Sequence, residues 1–197
     1  MTKVKICGIT NVGDARAAVD AGADFIGLVL SDSPRRVSLQ TARDICIAMS
    51  NPVAVVGVFA KAADLVAFGQ YSDVEFDYYQ VYFDYVSIIA RPPKHGWIRS
   101  YLISGVEQLP TRERSGLVMY DFKAEPEILI SALKSSDCKS LRTGAFVAGN
   151  LSPDRVGTVV SELKPFGVDV ARGTESSPGK KDKIKMQKFI ESVKNAG

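Results

Sequence analysis

Val4-Lys5-Ile6-Cys7-Gly8-Ile9-Thr10 is a short β-prone run that carries a cysteine to the end of a strand and then turns. Val4 to Ile6 favour extended backbone, Gly8 permits the turn, and Thr10 or Asn11 stands where a helix cap is needed. In barrels of parallel strands, the C-terminal strand ends face one shared mouth, and chemistry is placed there. Cys7 is therefore either a small buried hydrophobe, as free cysteines commonly are, or a thiol facing that mouth. The remainder of the chain bears on the choice.

Outward from this stretch, strand-like and helix-like segments alternate to the C-terminus. Ala15, Ala18, Val19 and Gly22 recur at i, i+3, i+4 and i+7, the stripe of a helix lying on a sheet. Phe25 to Leu30 is a continuous apolar run, the pattern of a strand buried on both faces. Ala42, Ile45, Cys46 and Met49 share the inner face of the next helix. Val53 to Ala60 reads as a third strand, its Gly57 signalling tight packing, and a weaker helix covers Ala62 to Phe68. Phe76 to Phe83 is an aromatic-rich fourth strand, Trp97 to Ile103 a fifth and Leu117 to Phe122 a sixth. Between the fourth and fifth, Asp84 to Lys94 has room for one short helix before Pro92-Pro93. A helix over Glu125 to Leu133 turns Leu129, Ala132 and Leu133 inward, and Ala145 to Gly149 is strand seven. Ser152-Pro153 opens a helix whose Val156, Val159, Val160 and Leu163 repeat the apolar stripe. Val168 to Ala171 is strand eight, and after a loop over Arg172 to Lys180 a last helix turns Met186, Phe189, Ile190 and Val193 inward.

Eight strands alternating with helices imply right-handed parallel crossovers, and eight such units close into an α/β structure, a (β/α)8 TIM barrel. An open doubly wound sheet is the rival, but no glycine-rich dinucleotide fingerprint follows the first strand. With 197 residues and no linker or low-complexity tract, residues 1–197 are expected to form a single domain. A hydrophobic fraction of 46% and a charged fraction of 24% are ordinary for a globular protein. No run approaches a membrane span, and Met1-Thr2-Lys3 leads straight into the first strand, so the expected location is the cytoplasm. Three cysteines without metal-ligand spacing argue against disulfides and zinc, and the single His95 removes most histidine-based mechanisms. A net charge of +3 gives no case for a nucleic-acid partner and is compatible with a small anion.

The strand ends name the candidate residues: Cys7, the Ser33–Arg36 loop, Tyr82 and Phe83, Asp121, the Ala148–Asn150 turn and the Arg172–Glu175 turn. Arg35 or Arg36 is suited to hold a carboxylate bidentately, or else the two are solvated surface arginines. Asp121 closes an apolar strand as either a proton donor or a helix cap near Glu125. Gly149-Asn150 before a well-capped helix and Arg172-Gly173 after strand eight stand where barrels bind phosphate. The plain alternative is that these glycines only permit tight turns.

The first motif, together with Ala21-Gly22-Ala23-Asp24-Phe25-Ile26-Gly27 and Ser33-Pro34-Arg35-Arg36-Val37, resembles the phosphoribosylanthranilate isomerase family of tryptophan biosynthesis. Val56-Gly57-Val58-Phe59, Ala148-Gly149-Asn150-Leu151-Ser152-Pro153 and Gly167-Val168-Asp169-Val170 carry the same likeness, as does Gly173-Thr174-Glu175-Ser176-Ser177-Pro178-Gly179-Lys180-Lys181-Asp182. The resemblance implies a single-domain barrel without cofactor or metal, acting on a small phosphorylated molecule through an Amadori rearrangement. The sequence leaves a monomer and a homodimer equally open. The resemblance further implies Cys7 as general base, Asp121 as general acid, and Arg35 as the holder of the anthranilate carboxylate. Gly149, Asn150, Arg172 and Gly173 match its phosphate site.

The chain also departs from that family. Gln80-Val81-Tyr82-Phe83 stands where the family has Gln-Leu-His-Gly, and Asp121-Phe122-Lys123-Ala124-Glu125-Pro126 replaces a glycine-rich loop that closes over substrate. Asn150 replaces a glycine, and Arg172 a small residue. The same residues therefore support two other readings: a barrel that binds a phosphorylated ligand or a protein without turnover, and an isomerase for another ribose 5-phosphate adduct.

Overall fold

The computed structural model describes residues 1–49, 53–82, 92–104, 116–123, 125–135 and 143–197, together with Gln108 and Leu141. Eight parallel strands, β1 (Lys3–Cys7), β2 (Phe25–Val29), β3 (Ala54–Phe59), β4 (Tyr78–Val81), β5 (Gly96–Ile103), β6 (Leu117–Phe122), β7 (Ala145–Ala148) and β8 (Gly167–Val170), close into a barrel in sequence order. Closure is direct: Lys5 pairs with Phe25 on one side and with Asp169 on the other. Helices α1 (Val12–Ala21), α2 (Leu39–Ala48), α3 (Ala62–Tyr71), α4 (Pro126–Ser135), α5 (Pro153–Leu163) and α6 (Lys183–Ala196) cover the outside. None of them is long and apolar enough to cross a membrane.

Two apolar layers arise from the two faces of each strand. Outward-facing residues such as Ile6, Ile26, Val147 and Val168 pack with Val156, Val160, Phe189 and Ile190 of the helices. Each such side chain contributes about 1.5–3 kcal/mol by leaving water. Inside the barrel, Phe25, Val56, Ile98, Met119 and Phe146 fill the lower part, with Cys7 and Ala148 at the top of the same cluster. The closed floor leaves the C-terminal mouth as the place where side chains meet solvent.

Local chemistry explains where the helices begin. The Asn11 side chain, not Thr10, caps α1, accepting from the Asp14 amide at 2.8 Å. Ser38 and Asp182 cap α2 and α6 in the same way, at 3.0 Å each. Ser152 holds the cap position of α5 with Pro153 behind it, but its hydroxyl makes no capping bond.

Several boundaries differ from the sequence reading. The fourth strand starts at Tyr78: Phe76 is fully buried ahead of it, its ring lying where a Cβ on Gly57 would come within 2.6 Å. Arg172 to Lys180 is not a plain loop. A 3-10 turn (Arg172–Thr174) leads into an antiparallel hairpin, β9 (Glu175–Ser177) and β10 (Lys180–Lys181). Cys46 is only half-buried against the core, and burial pushes its thiol up to about 11. The helix expected before Pro92, Phe83, Cys138 and the side chains of Leu129 and Ala132 lie outside the described residues.

Candidate active site

Strand alternation puts Lys5 and Cys7, two apart, on the inner face of β1. Lys5 is fully buried, and its Nζ donates to Asp169 Oδ1 of β8 at 2.6 Å. Burial alone would lower the Lys5 ammonium, but Asp169 and Cys7 raise it above its ordinary value, so it stays charged. Cys7 is 8% exposed. Burial pushes its thiol up; Lys5 and Lys181 pull against that shift, and Asp169 adds to it. Burial also lowers the Lys181 ammonium, with Glu175 and Cys7 pulling it back up, so the free protein holds a thiol beside two buried lysines of which Lys5 keeps its charge the more firmly.

Arg35 reaches the same mouth from the loop after β2. Its Nε and Nη2 both donate to Glu175, at 2.7 Å each. Glu175 also accepts from Lys181 Nζ at 3.2 Å, and Lys181 in turn donates to the Ala171 carbonyl at 2.9 Å. Burial opposes the Glu175 charge, but Arg35 and Lys181 outweigh it and hold the carboxyl below its ordinary value. One edge of the guanidinium is thus committed within the protein. Arg35 also lines the cavity, and a guanidinium has further N–H donors beyond the two spent on Glu175.

The opposite wall is built from β4 and β6. Tyr82, just past β4, donates its hydroxyl to Asp121 Oδ2 at 3.0 Å and accepts from Gln80 Nε2 at 3.1 Å. Burial and the neighbouring Asp169 push the Asp121 carboxyl up; Tyr82, Lys5 and Lys123 oppose this without cancelling it. Burial and Asp121 hold the Tyr82 hydroxyl well above its ordinary value, so it remains a donor.

The turns after β7 and β8 close the third side. Gly149 has a φ of 110°, and a Cβ there would sit 1.9 Å from the Phe122 carbonyl oxygen. A Cβ on Gly173 would meet the Leu151 carbonyl oxygen at 2.0 Å, so the two turns press backbone on backbone. Asn150 takes the left-handed conformation, with φ 49°, and its amide donates to Glu125 Oε1 at 2.7 Å. Arg155 in the first turn of α5 binds the other oxygen of Glu125. An acidic side chain thus already rests against the start of α5, where the helix dipole favours negative charge.

Cys7, Arg35, Asp121, Gly149, Asn150, Arg172 and Gly173, all named from the sequence, line one cavity of about 690 Å³. Reading strand ends alone misses Lys5 and Asp169 as members of the site. Their signal is the inward register of a charged residue on each of two paired strands. Glu175 stands out in the sequence only as part of a loop motif, and nothing there announces its pairing with Arg35. Among the described residues no group of three or more His, Cys, Asp or Glu side chains is placed to hold a metal ion.

A sequence profile described as N-(5'-phosphoribosyl)anthranilate (PRA) isomerase matches residues 127–192. The N-(5'-phosphoribosyl)anthranilate isomerase of Geotalea uraniireducens is 32% identical over 201 residues, covering 98% of this chain and 99% of its own. The crystal structure of phosphoribosyl anthranilate isomerase from Thermotoga maritima superposes with a TM-score of 0.79 at 25% identity, covering 99% of this chain and 100% of that one. A structure of phosphoribosyl anthranilate isomerase in complex with reduced 1-(o-carboxyphenylamino)-1-deoxyribulose 5-phosphate gives a TM-score of 0.77 at 26% identity, covering 99% and 100%. With near-complete coverage at this identity, and with the barrel closed around the residues of its shared motifs, this chain belongs to the N-(5'-phosphoribosyl)anthranilate isomerase family.

Proposed function

We infer that this chain isomerises N-(5'-phosphoribosyl)anthranilate to 1-(o-carboxyphenylamino)-1-deoxyribulose 5-phosphate. The observation that carries the reading is the placement of Cys7 and Asp121 on different walls of one cavity that Arg35 and the two glycine turns also line. A substrate spanning that cavity has its phosphate at the turns of Gly149-Asn150 and Arg172-Gly173, and its carboxylate toward Arg35. The sugar carbons then lie between thiol and carboxyl.

Asp121, its proton favoured by burial, gives that proton to the ribose ring oxygen. The C1'–oxygen bond breaks, and the aniline nitrogen lone pair forms a C1'–nitrogen double bond. Cys7, having lost its thiol proton to solvent as the cationic iminium forms, removes the proton from C2' as thiolate, and those electrons form a C1'–C2' double bond while the nitrogen regains its pair. Ketonisation moves the C2' hydroxyl proton away and places one on C1'. Every proton removed is matched by one returned, so the sequence is redox-neutral overall. Lys5 and Lys181 supply the positive charge that a buried thiolate needs, and the iminium formed on ring opening adds more.

The experiment is complementation of a tryptophan auxotroph that lacks the isomerase, paired with a fluorescence assay of purified protein on generated substrate. Growth with turnover supports the reading. Tight binding of the reduced product analogue without turnover would replace it with a ligand-binding barrel.

A further inference from the structure

Asp121 carries a contact that the proposed reaction does not account for. Its Oδ2 accepts the Tyr82 hydroxyl at 3.0 Å, and Tyr82 is itself the acceptor of Gln80 Nε2 at 3.1 Å. Gln80 is 1% exposed and also places Nε2 3.3 Å from Met119 Sδ, so the amide is held from below. Tyr82 and Asp121 both line the cavity, and their strands are separated by β5. The hydroxyl therefore reaches past β5 along one wall of the mouth to one oxygen of the carboxyl and leaves the other to a ligand.

We propose that Tyr82 is a positioning residue for the acid: the Gln80–Tyr82–Asp121 chain fixes the rotamer of Asp121, occupies Oδ2, and aims Oδ1 at the substrate's ring oxygen. The proposal rests on Asp121 being the proton donor. A carboxyl transfers its proton well only when the donating oxygen is held within hydrogen-bond reach of its target. Only three residues of sequence separate Phe122, the end of β6, from Pro126, the start of α4, too few for a long loop over Asp121 from its own strand end. A fixed partner from β4 supplies the orientation instead. Chains of hydrogen bonds polarise one another, so the Gln80 donor strengthens the hold of Tyr82 on Asp121. The charged and titratable groups acting on Asp121 are Tyr82 from β4, Asp169 from β8, Lys5 from β1 and Lys123 beyond its own strand. Of these only Tyr82 touches its carboxyl oxygens through a neutral donor.

Tyr82→Phe removes the hydroxyl and keeps the ring. That hydroxyl favours the ionised carboxylate, so its loss moves the Asp121 titration to higher pH, by about one pH unit. The titration is read by difference infrared spectroscopy of the free protein, with the carboxyl band assigned by its disappearance in Asp121→Asn. The acid limb of the kcat/KM profile moves the same way. kcat falls about tenfold or more while KM stays within about threefold, because aim and not binding is lost. Gln80→Met, which keeps Tyr82, shifts the limb in the same direction by less. An unmoved titration and acid limb in both variants overturns the positioning role, even if kcat drops. Full activity in Asp121→Asn instead removes the acid, and the proposal with it; loss of activity there with an unmoved profile in Tyr82→Phe overturns the positioning alone.

Discussion

The two sides of the barrel mouth are held by different physics. On the β8–β1–β2 side, charges meet charges: Lys5 with Asp169 at 2.6 Å, Arg35 with Glu175 through two bonds, and Glu175 again with Lys181. The hairpin is pinned there as well, by Thr10 donating to the Gly179 carbonyl at 2.5 Å and by the Lys181 amide donating to Asp14 at 3.0 Å. On the β4–β6 side the links among Gln80, Tyr82 and Asp121 are single hydrogen bonds from neutral donors, and Gln80 Oε1 and Ser100 Oγ are buried with no hydrogen-bond partner among the described residues. The first side carries most of the motifs on which the family resemblance rests, while the departures at Gln80-Val81-Tyr82-Phe83 and after Asp121 fall on the second. Paired buried charges tolerate little change, because removing one strands the other. Neutral hydrogen bonds can be rebuilt with other side chains at modest cost.

The most severe way to break the comparison is at Cys7, the member of the charged side proposed as the base. Cys7→Ala removes that thiol and leaves Lys5, Asp169 and Lys181 in place. Turnover should fall about 10²–10⁴-fold, with the far-ultraviolet spectrum and the affinity for the reduced product analogue retained. Undiminished turnover would move the proton abstraction to another residue and take the base away from the charged side.

Lys5 comes next, with an effect on stability as well as on rate. Lys5→Met leaves Asp169 as an unpaired buried carboxylate, at a cost of about 3–5 kcal/mol. For a chain of this size that lowers the melting midpoint by roughly 6–20 °C. The sign of the pH effect comes from the charge. Lys5 favours the thiolate, so without it the Cys7 thiol titrates at still higher pH, the alkaline limb of the rate profile moves up, and the rate at neutral pH drops. Pairing Lys5→Met with Asp169→Asn should recover most of the lost stability and none of the rate. If the double variant melts as low as the single one, the side is not organised by its charge pair.

Much of this fold is legible in the sequence, for a reason that also explains what is not. Phe25 to Val29 and Ala145 to Ala148 are apolar along their length, so burial on both faces is written into composition. The Val156, Val159, Val160 and Leu163 stripe of α5 likewise needs only its helical period. Cys7, Asp121 and the glycine turns are readable because strand ends in a barrel converge. Lys5 is easily passed over because a lysine inside a strand ordinarily marks a solvated face, and only the partner charge on β8 makes burial tolerable. Pairings across 140 residues, such as Arg35 with Glu175, leave no periodic trace in either segment. The β9–β10 hairpin is hidden for the same reason: its residues are polar, and its place is set by the side chains it binds.

The smallest expected effect lies where the two sides touch. Glu125, ahead of α4, reaches Asn150 and Arg155 at the start of α5, next to the turns proposed to hold phosphate. The ion pair is about half exposed on both partners, so its contribution to stability is about 0–1 kcal/mol and the melting midpoint should barely move in Glu125→Gln. Binding is a different matter, because the carboxylate competes with an incoming phosphate for Arg155 and repels it. One unit of charge a few ångströms away in water is worth on the order of 1 kcal/mol or less, which corresponds to phosphate binding roughly two- to fivefold tighter in the variant. Competitive inhibition by inorganic phosphate measures this, and raising the salt from low to physiological should shrink the difference as screening sets in. Phosphate binding that is unchanged, or weaker, would show that Glu125 holds the turns in shape instead of occupying the anion's place. The rebuilt side would then be contributing structure to the retained one, and the boundary between them would have to be drawn past α4.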